Sequence, residues 1–232
     1  AYWVKDRAGK DRTNAHIFIG AMNEKGRRGL NNVLSEANLS GFYGQARLDL
    51  PLLLSLPGDD VIVTTACVAY WRYDDIEDIT ARLQEHFGEN FYLEVQYHHT
   101  PSQTELNGRI LRLRDRLGAK LMMGCDSHFI DPPQASVRTD FLTSKGLHYL
   151  EEEGCFLDYP DGEAAYARFA RQAVLSHDEI LEAIQNTNVF LNVEEYDSPV
   201  FNDDIKLPTL YPEWTQEQRN EEYKRLVWAG WS

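Results

Sequence analysis

An α/β fold with parallel strands is predicted for residues 2 to 150, followed by a mostly helical stretch. Three observations predict it. Short β-branched and aromatic runs alternate with amphipathic helical patterns. Gly and Pro punctuate the boundaries between them. Beyond about residue 150 the apolar residues recur at helical spacing. Pattern alone leaves a barrel and a doubly wound sheet equally open.

Taken in order, Tyr2 to Lys5 is a short strand, followed by a charged turn at Gly9. Ala15 to Gly20 is a second strand. Gly29 to Asn38 reads as a helix with Leu30, Val33, Leu34 and Ala37 at helical spacing. Leu48 to Leu56 is apolar and stops at Pro57 and Gly58. Val61 to Ala66 reads as a buried strand. Ile76 to Phe87 is an amphipathic helix, and Phe91 to Gln96 another strand. Gln103 to Leu117 is a helix, with Gly118 where a C-terminal glycine belongs. Lys120 to Gly124 is the next strand, and helices are expected over 135–147 and 164–174. Ser176 and Glu179 form a capping box ahead of Ile180, Leu181 and Ile184. Residues 197–212 are rich in Pro, Asp and Asn and read as a linker or domain edge. A last helix over 215–227 starts with the pair Thr215 and Gln218. There is no internal repeat.

The chain has 232 residues, 43% hydrophobic and 26% charged, which excludes a disordered chain. Its net charge of −14 makes it a poor general grip for nucleic acid, because phosphate binding depends on Lys and Arg. If it works beside DNA, another domain supplies most of the grip. Cys67, Cys125 and Cys155 are odd in number and widely spaced, so no disulfide framework is indicated and a cytoplasmic setting is expected. No apolar run approaches the ~20 residues that span a bilayer. The first residues lack a signal core and an initiator Met and read like the inside of a strand, so the chain is expected to start in mid-domain.

Asp126 and His128 directly follow an apolar strand. In an extended segment, residues two apart share a side, so both can face one ion while Cys125 points away. Functional groups gather at the C-terminal ends of parallel strands, and Asp with His suits zinc or manganese. Equally, Asp126 can cap a turn and His128 lie on the surface. Cys67 follows the strand over 61–66 and reads either as a thiolate ligand or as a small buried hydrophobe. His16 reads as a ligand or a hydrogen-bonded core histidine, but its place near the start of a strand is the wrong end for a site. Glu94 and Gln96 share a strand face that His98 or His99 continues. A general base or an ion-pair partner both fit there. Tyr70, Trp71 and Tyr73 can stack on bases, although their acidic neighbours favour core or rim packing. Cys155 suggests nothing specific. There is no Gly-x-Gly-x-x-Gly, no P-loop and no nucleophile elbow.

Several segments in this order resemble the PHP domain (polymerase and histidinol phosphatase) of bacterial replicative C-family DNA polymerases. The stretch from Asn14 to Gly26, with the Leu30-Asn31 step, is similar to the family's His-bearing strand, turn and helix. Gly41 to Asp49 resembles its Gly-Phe-Tyr segment, Val61 to Cys67 the strand ending in Cys, and Phe91 to Gln96 the Tyr-Leu-Glu strand. Met123 to Phe129 resembles its Asp-x-His motif, and Glu222 to Gly230 the start of the following palm domain.

The resemblance implies a partial, distorted (β/α)7 TIM-like barrel over residues 1–200, lacking its N-terminal strands, with 201–232 as linker and start of the palm. It puts His16, Cys67, Asp126 and His128 on metal-ligand positions, for divalent ions such as zinc or manganese. The family's remaining ligands lie upstream, so the site is expected to be incomplete in this chain. The palm's catalytic carboxylates are expected beyond Ser232, so no catalytic residue is assigned here. The implied parent is a DNA polymerase III alpha subunit that works with DNA, deoxynucleoside triphosphates and other replisome proteins, with no membrane role. Within it, the domain would be a 3′–5′ exonuclease or a scaffold that docks a separate proofreading subunit. A free-standing phosphoesterase is the third reading, and the palm-like C-terminus argues against it.

Overall fold

The structure is a computed structural model and describes residues 2–13, 15–66, 68–195 and 211–231. The chain divides into two compact units, 1–195 and 196–232. The first is a mixed α/β body. Its four-stranded sheet has the order β2 (Phe18–Ala21), β4 (Val61–Thr64), β5 (Phe91–Gln96), β6 (Lys120–Gly124). A separate two-stranded sheet pairs β1 (Tyr2–Trp3) with β3 (Arg47–Leu48). Among the described residues neither sheet closes on itself.

Strands β4, β5 and β6 are parallel, with α3 (Ile76–Phe87) and α4 (Pro101–Leu117) as the two crossovers. Both helices form where apolar residues recur at helical spacing. Helix α4 starts at Thr100, whose hydroxyl accepts from the Gln103 amide, and stops at the left-handed Gly118. Strand β2, in contrast, runs antiparallel to β4, pairing Phe18 with Thr64 and Ala21 with Val61. This departs from an all-parallel arrangement and alters the reading of His16.

Both faces of the sheet are buried, as parallel strands require. One face carries Val61, Val63, Phe91, Leu93, Val95 and Leu121 into the main core with Ile110, Phe169 and Ile180. The other packs Ile62, Tyr92 and Met122 against Met22 and Val189. Burying one such aliphatic or aromatic side chain contributes about 1.5–3 kcal/mol. Tyr70 and Trp71 are part of this core, which settles them as packing residues.

Helix α1 (Glu24–Leu39) starts earlier than its apolar pattern indicates, capped by Asn23. Its early turn contains Gly26, where a Cβ would stand 2.0 Å from the Asp60 carbonyl oxygen. That glycine is a close-approach residue of the helix and not a break before it. A short helix, α2 (Leu50–Leu53), occupies the apolar run before Pro57. Helices α5 (Gln134–Ser144), α6 (Gly162–Gln172) and α7 (His177–Gln185) follow β6. Helix α7 has the reciprocal capping box of Ser176 and Glu179. In the second unit, α8 (Gln216–Trp231) is preceded by a reciprocal Thr215–Gln218 cap, and most of the 197–212 linker lies outside the described residues.

Candidate functional site

Three strands exit at the same edge of the sheet. Two residues beyond the end of β4, Ala66 has φ 49°; two beyond β6, Asp126 has φ 44°. Neither is glycine, and left-handed backbone at non-glycine residues costs free energy that concentrates at functional turns. Two beyond β5 stands His98, level with Asp126 because Gln96 pairs with Gly124.

The left-handed turn at Asp126 replaces the extended geometry expected there. The pair still converges: His128 Nε2 lies 3.8 Å from Asp126 Oδ1. What brings them together is a second strand-like segment. The His128 amide donates to Leu157 O at 2.8 Å, Ser127 Oγ donates to Asp158 O at 3.0 Å, and Phe129 bridges Asp158. Arg168 on α6 anchors that segment, donating to Asp158 Oδ2 at 2.6 Å while its guanidinium lies 4.6 Å from the centre of the Phe156 ring. Cys125 turns away and packs against the core, as expected.

His16 lies two residues before β2. Because β2 is antiparallel, its start is level with the exit of β4, so His16 sits at the same edge as the strand exits and the objection to it falls away. A cavity of about 660 Å³ collects His16, His98, Asp126 and His128 with Arg72, Arg138, Glu152 and Cys155. Cys67 lies outside the described residues; Val68, the residue after it, lines the cavity.

Glu94 is not among the lining residues. Its carboxylate accepts from Thr64 Oγ1 at 2.6 Å and Gln96 Nε2 at 3.0 Å. A Cβ on Gly124 would stand 1.9 Å from it, so that glycine makes room for the acid. Burial pushes the Glu94 pKa up, against those two hydrogen bonds and with a push from Asp126. Its position fits a polar tie inside the sheet better than a general base. Burial likewise lowers the His98 pKa, which favours neutral imidazole, and raises that of the Cys155 thiol.

Asp126 and His128 suit zinc or manganese in kind. Two donors on one ion at ~2.1 Å each stand roughly 3.4 Å apart in a tetrahedral site. The Asp126–His128 gap of 3.8 Å and the His128–Glu152 gap of 3.9 Å are slightly wider. Glu152 is engaged by Arg138, at 2.6 and 2.8 Å. Among the described residues no three His, Cys, Asp or Glu side chains gather to hold an ion unaided. The arrangement is therefore a two-donor corner with His16 and His98 on the same cavity.

Sequence reasoning missed Cys155, Glu152, Arg72 and Arg138, and it touched His98 only as an extension of β5. The signal for His98 was its offset from the strand end, matching that of Asp126. Arg138, Glu152 and Cys155 arrive through the 129–158 excursion, Arg72 follows the exit of β4, and none of them left a local signal.

No family model matches the chain. Three relatives are each named DNA polymerase III subunit alpha. The one from Aquifex aeolicus is 27% identical over 151 residues, 60% of this chain and 13% of its own length. That from Borreliella burgdorferi is 26% identical over 180 residues, 74% of this chain and 15% of its own. That from Saccharopolyspora erythraea is 27% identical over 193 residues, 78% of this chain and 16% of its own. This chain is related to a region of the DNA polymerase III alpha subunit. It spans only about a sixth or less of those relatives. No helix among the described residues is long and apolar enough to cross a membrane.

Proposed function

We propose that this chain is a metal-binding domain of the PHP type, a partial barrel within a cytoplasmic replicative DNA polymerase. Its ligands to zinc or manganese are His16, Cys67, Asp126 and His128. The observation that carries the reading is the meeting of His16, Asp126 and His128, which lie far apart in sequence, on one cavity at the exits of the strands. The metal, when bound, supplies a Lewis acid and an activated water. The chain's own part is to hold the ion at the Asp126 carboxylate and the His128 imidazole. Strand β6 and the 157–158 segment fix both groups. In the parent protein, which extends DNA from deoxynucleoside triphosphates, the domain acts as a 3′–5′ exonuclease.

A second reading is a scaffold that docks a separate proofreading subunit. The exposed apolar side chains Ile130, Val137, Phe141 and Leu150 favour it, as does the lack of a three-donor group among the described residues. Metal uptake by the wild-type chain and by Asp126→Asn, with release of nucleotides from a DNA 3′ end, separates the two. Uptake and release that both fall in Asp126→Asn support the metal domain. A folded wild-type chain that takes up neither zinc nor manganese turns the assignment to the scaffold.

A further inference from the structure

His98 is buried at 3% exposure and lines the cavity. Its Nδ1 faces the Phe156 amide at 3.2 Å and so accepts that hydrogen. A neutral imidazole that accepts at Nδ1 carries its proton on Nε2. An Nε2 that holds a proton cannot also give a lone pair to a metal. Among the described residues no group bonds this Nε2, and it is not sealed from the cavity space.

The position of the ring is fixed from behind. Gln172 Nε2 donates to His98 O at 2.7 Å and to Gln96 O at 3.0 Å. Asn107, fully buried, donates to Gln96 O at 2.8 Å. Beside the ring is the N-terminus of the 17-residue helix α4, where Ser102 lines the cavity. Pro101 has no amide hydrogen and the Gln103 amide is held by Thr100, whose hydroxyl also bonds the Ser102 hydroxyl at 3.3 Å, which leaves the Ser102 amide at the positive end of the helix. Arg72, exposed at the same cavity, has no ion pair among the described residues.

We propose that His98 is a neutral Nε2–H donor and not a metal ligand, and that with Ser102 and Arg72 it forms an oxyanion-binding wall beside the Asp126–His128 corner. This rests on the reading of the cavity as the functional site. The ligand class is a tetrahedral oxyanion of the phosphate type, since the His98 imidazole, the Ser102 amide at the helix end and the Arg72 guanidinium belong to residues that line one cavity. His98 is in this sense a positioning group: it orients a ligand oxygen that the metal corner does not hold.

Two substitutions separate the ring nitrogens. In His98→Asn the amide oxygen replaces Nδ1 and keeps the bond from Phe156, but the Nε2–H is lost. In His98→Gln the amide nitrogen replaces the Nε2–H. The measurements are ¹⁵N NMR of the His98 ring, inorganic phosphate titration, and zinc and manganese uptake, all on the 232-residue chain. The expected results are the Nε2–H tautomer in wild type, and phosphate affinity that falls about tenfold in His98→Asn and Arg72→Ala but less in His98→Gln. Metal uptake in His98→Asn should equal wild type. A proton on Nδ1, unchanged phosphate affinity in His98→Asn, or metal uptake that drops as far as in Asp126→Asn would each overturn the assignment. A wild-type chain that binds phosphate but no metal supports the oxyanion wall and removes the metal reading alone.

Discussion

The inner wall of the cavity belongs to the core of the sheet, whereas its outer wall is carried by α5, a helix with no buried residue. On the inner side, His98 and the turn at Asp126 leave strands whose apolar residues are almost wholly enclosed. Buried amides tie the backbone behind them. On the outer side, Arg138, Leu142, Tyr149 and Glu152 reach the cavity from a segment whose Val137, Phe141 and Leu150 face solvent. The Arg138–Glu152 ion pair, one-fifth exposed on each side, ties that segment to itself, and its ends are held by the Ser127–Asp158 and His128–Leu157 hydrogen bonds. The difference teaches that one wall is set by the free energy of folding the sheet, while the other is set by a few polar ties.

Substitutions on each wall sharpen or break this contrast. Leu93→Ala, at a fully buried position of β5, is expected to cost about 2–5 kcal/mol in denaturant unfolding. A cost below about 1 kcal/mol would show that the inner wall is not core. Glu94→Gln should act in the opposite direction. Burial raises the pKa of Glu94 in the folded state above its ordinary 4.5. The stability linked to its protonation is fully present below the unfolded pKa and is lost as pH rises through the folded one. The variant's Tm should therefore gain on wild type as pH rises from about 4.5 to 8. A constant difference across that range would show that the carboxylate is not held in a poorly solvated place.

On the outer wall, Arg138→Ala should change global stability by less than ~1 kcal/mol, because a partly exposed pair contributes little. It should nevertheless speed hydrogen exchange of amides in 134–152 while leaving β5 and β6 protected. Equal loss of protection in the strands would merge the two walls into one cooperative unit. Phe141→Ser, at 58% exposure, should stay within about 0.5 kcal/mol of wild type.

The same contrast decides what could be read in the sequence. Strands β5 and β6, helices α3 and α4 and the capping box of α7 were legible because local period and end signals agree there. The closeness of Asp126 and His128 was legible because both lie within a few residues of one strand end. The direction of β2 was not legible: pairing is a non-local choice, and with it went the side of the sheet on which His16 stands. The start of α1 was missed because Gly26 looks like a breaker, and only the Asp60 carbonyl shows why it is there. Glu152 and Cys155 were silent because the Phe129–Asp158 bridge, formed late along the chain, carries them back to the cavity.

The left-handed turn at Asp126 has a consequence for mutation at that codon. With φ at 44°, the backbone tolerates Asp, Asn or Gly at little cost and resists Val, Ile or Thr. Side chains that reach this position by chance are filtered for conformation before they are filtered for chemistry. A copy of this domain that no longer needed the carboxylate would therefore drift first to Asn or Gly. Substitution by a β-branched residue there would instead record that the turn itself had been rebuilt.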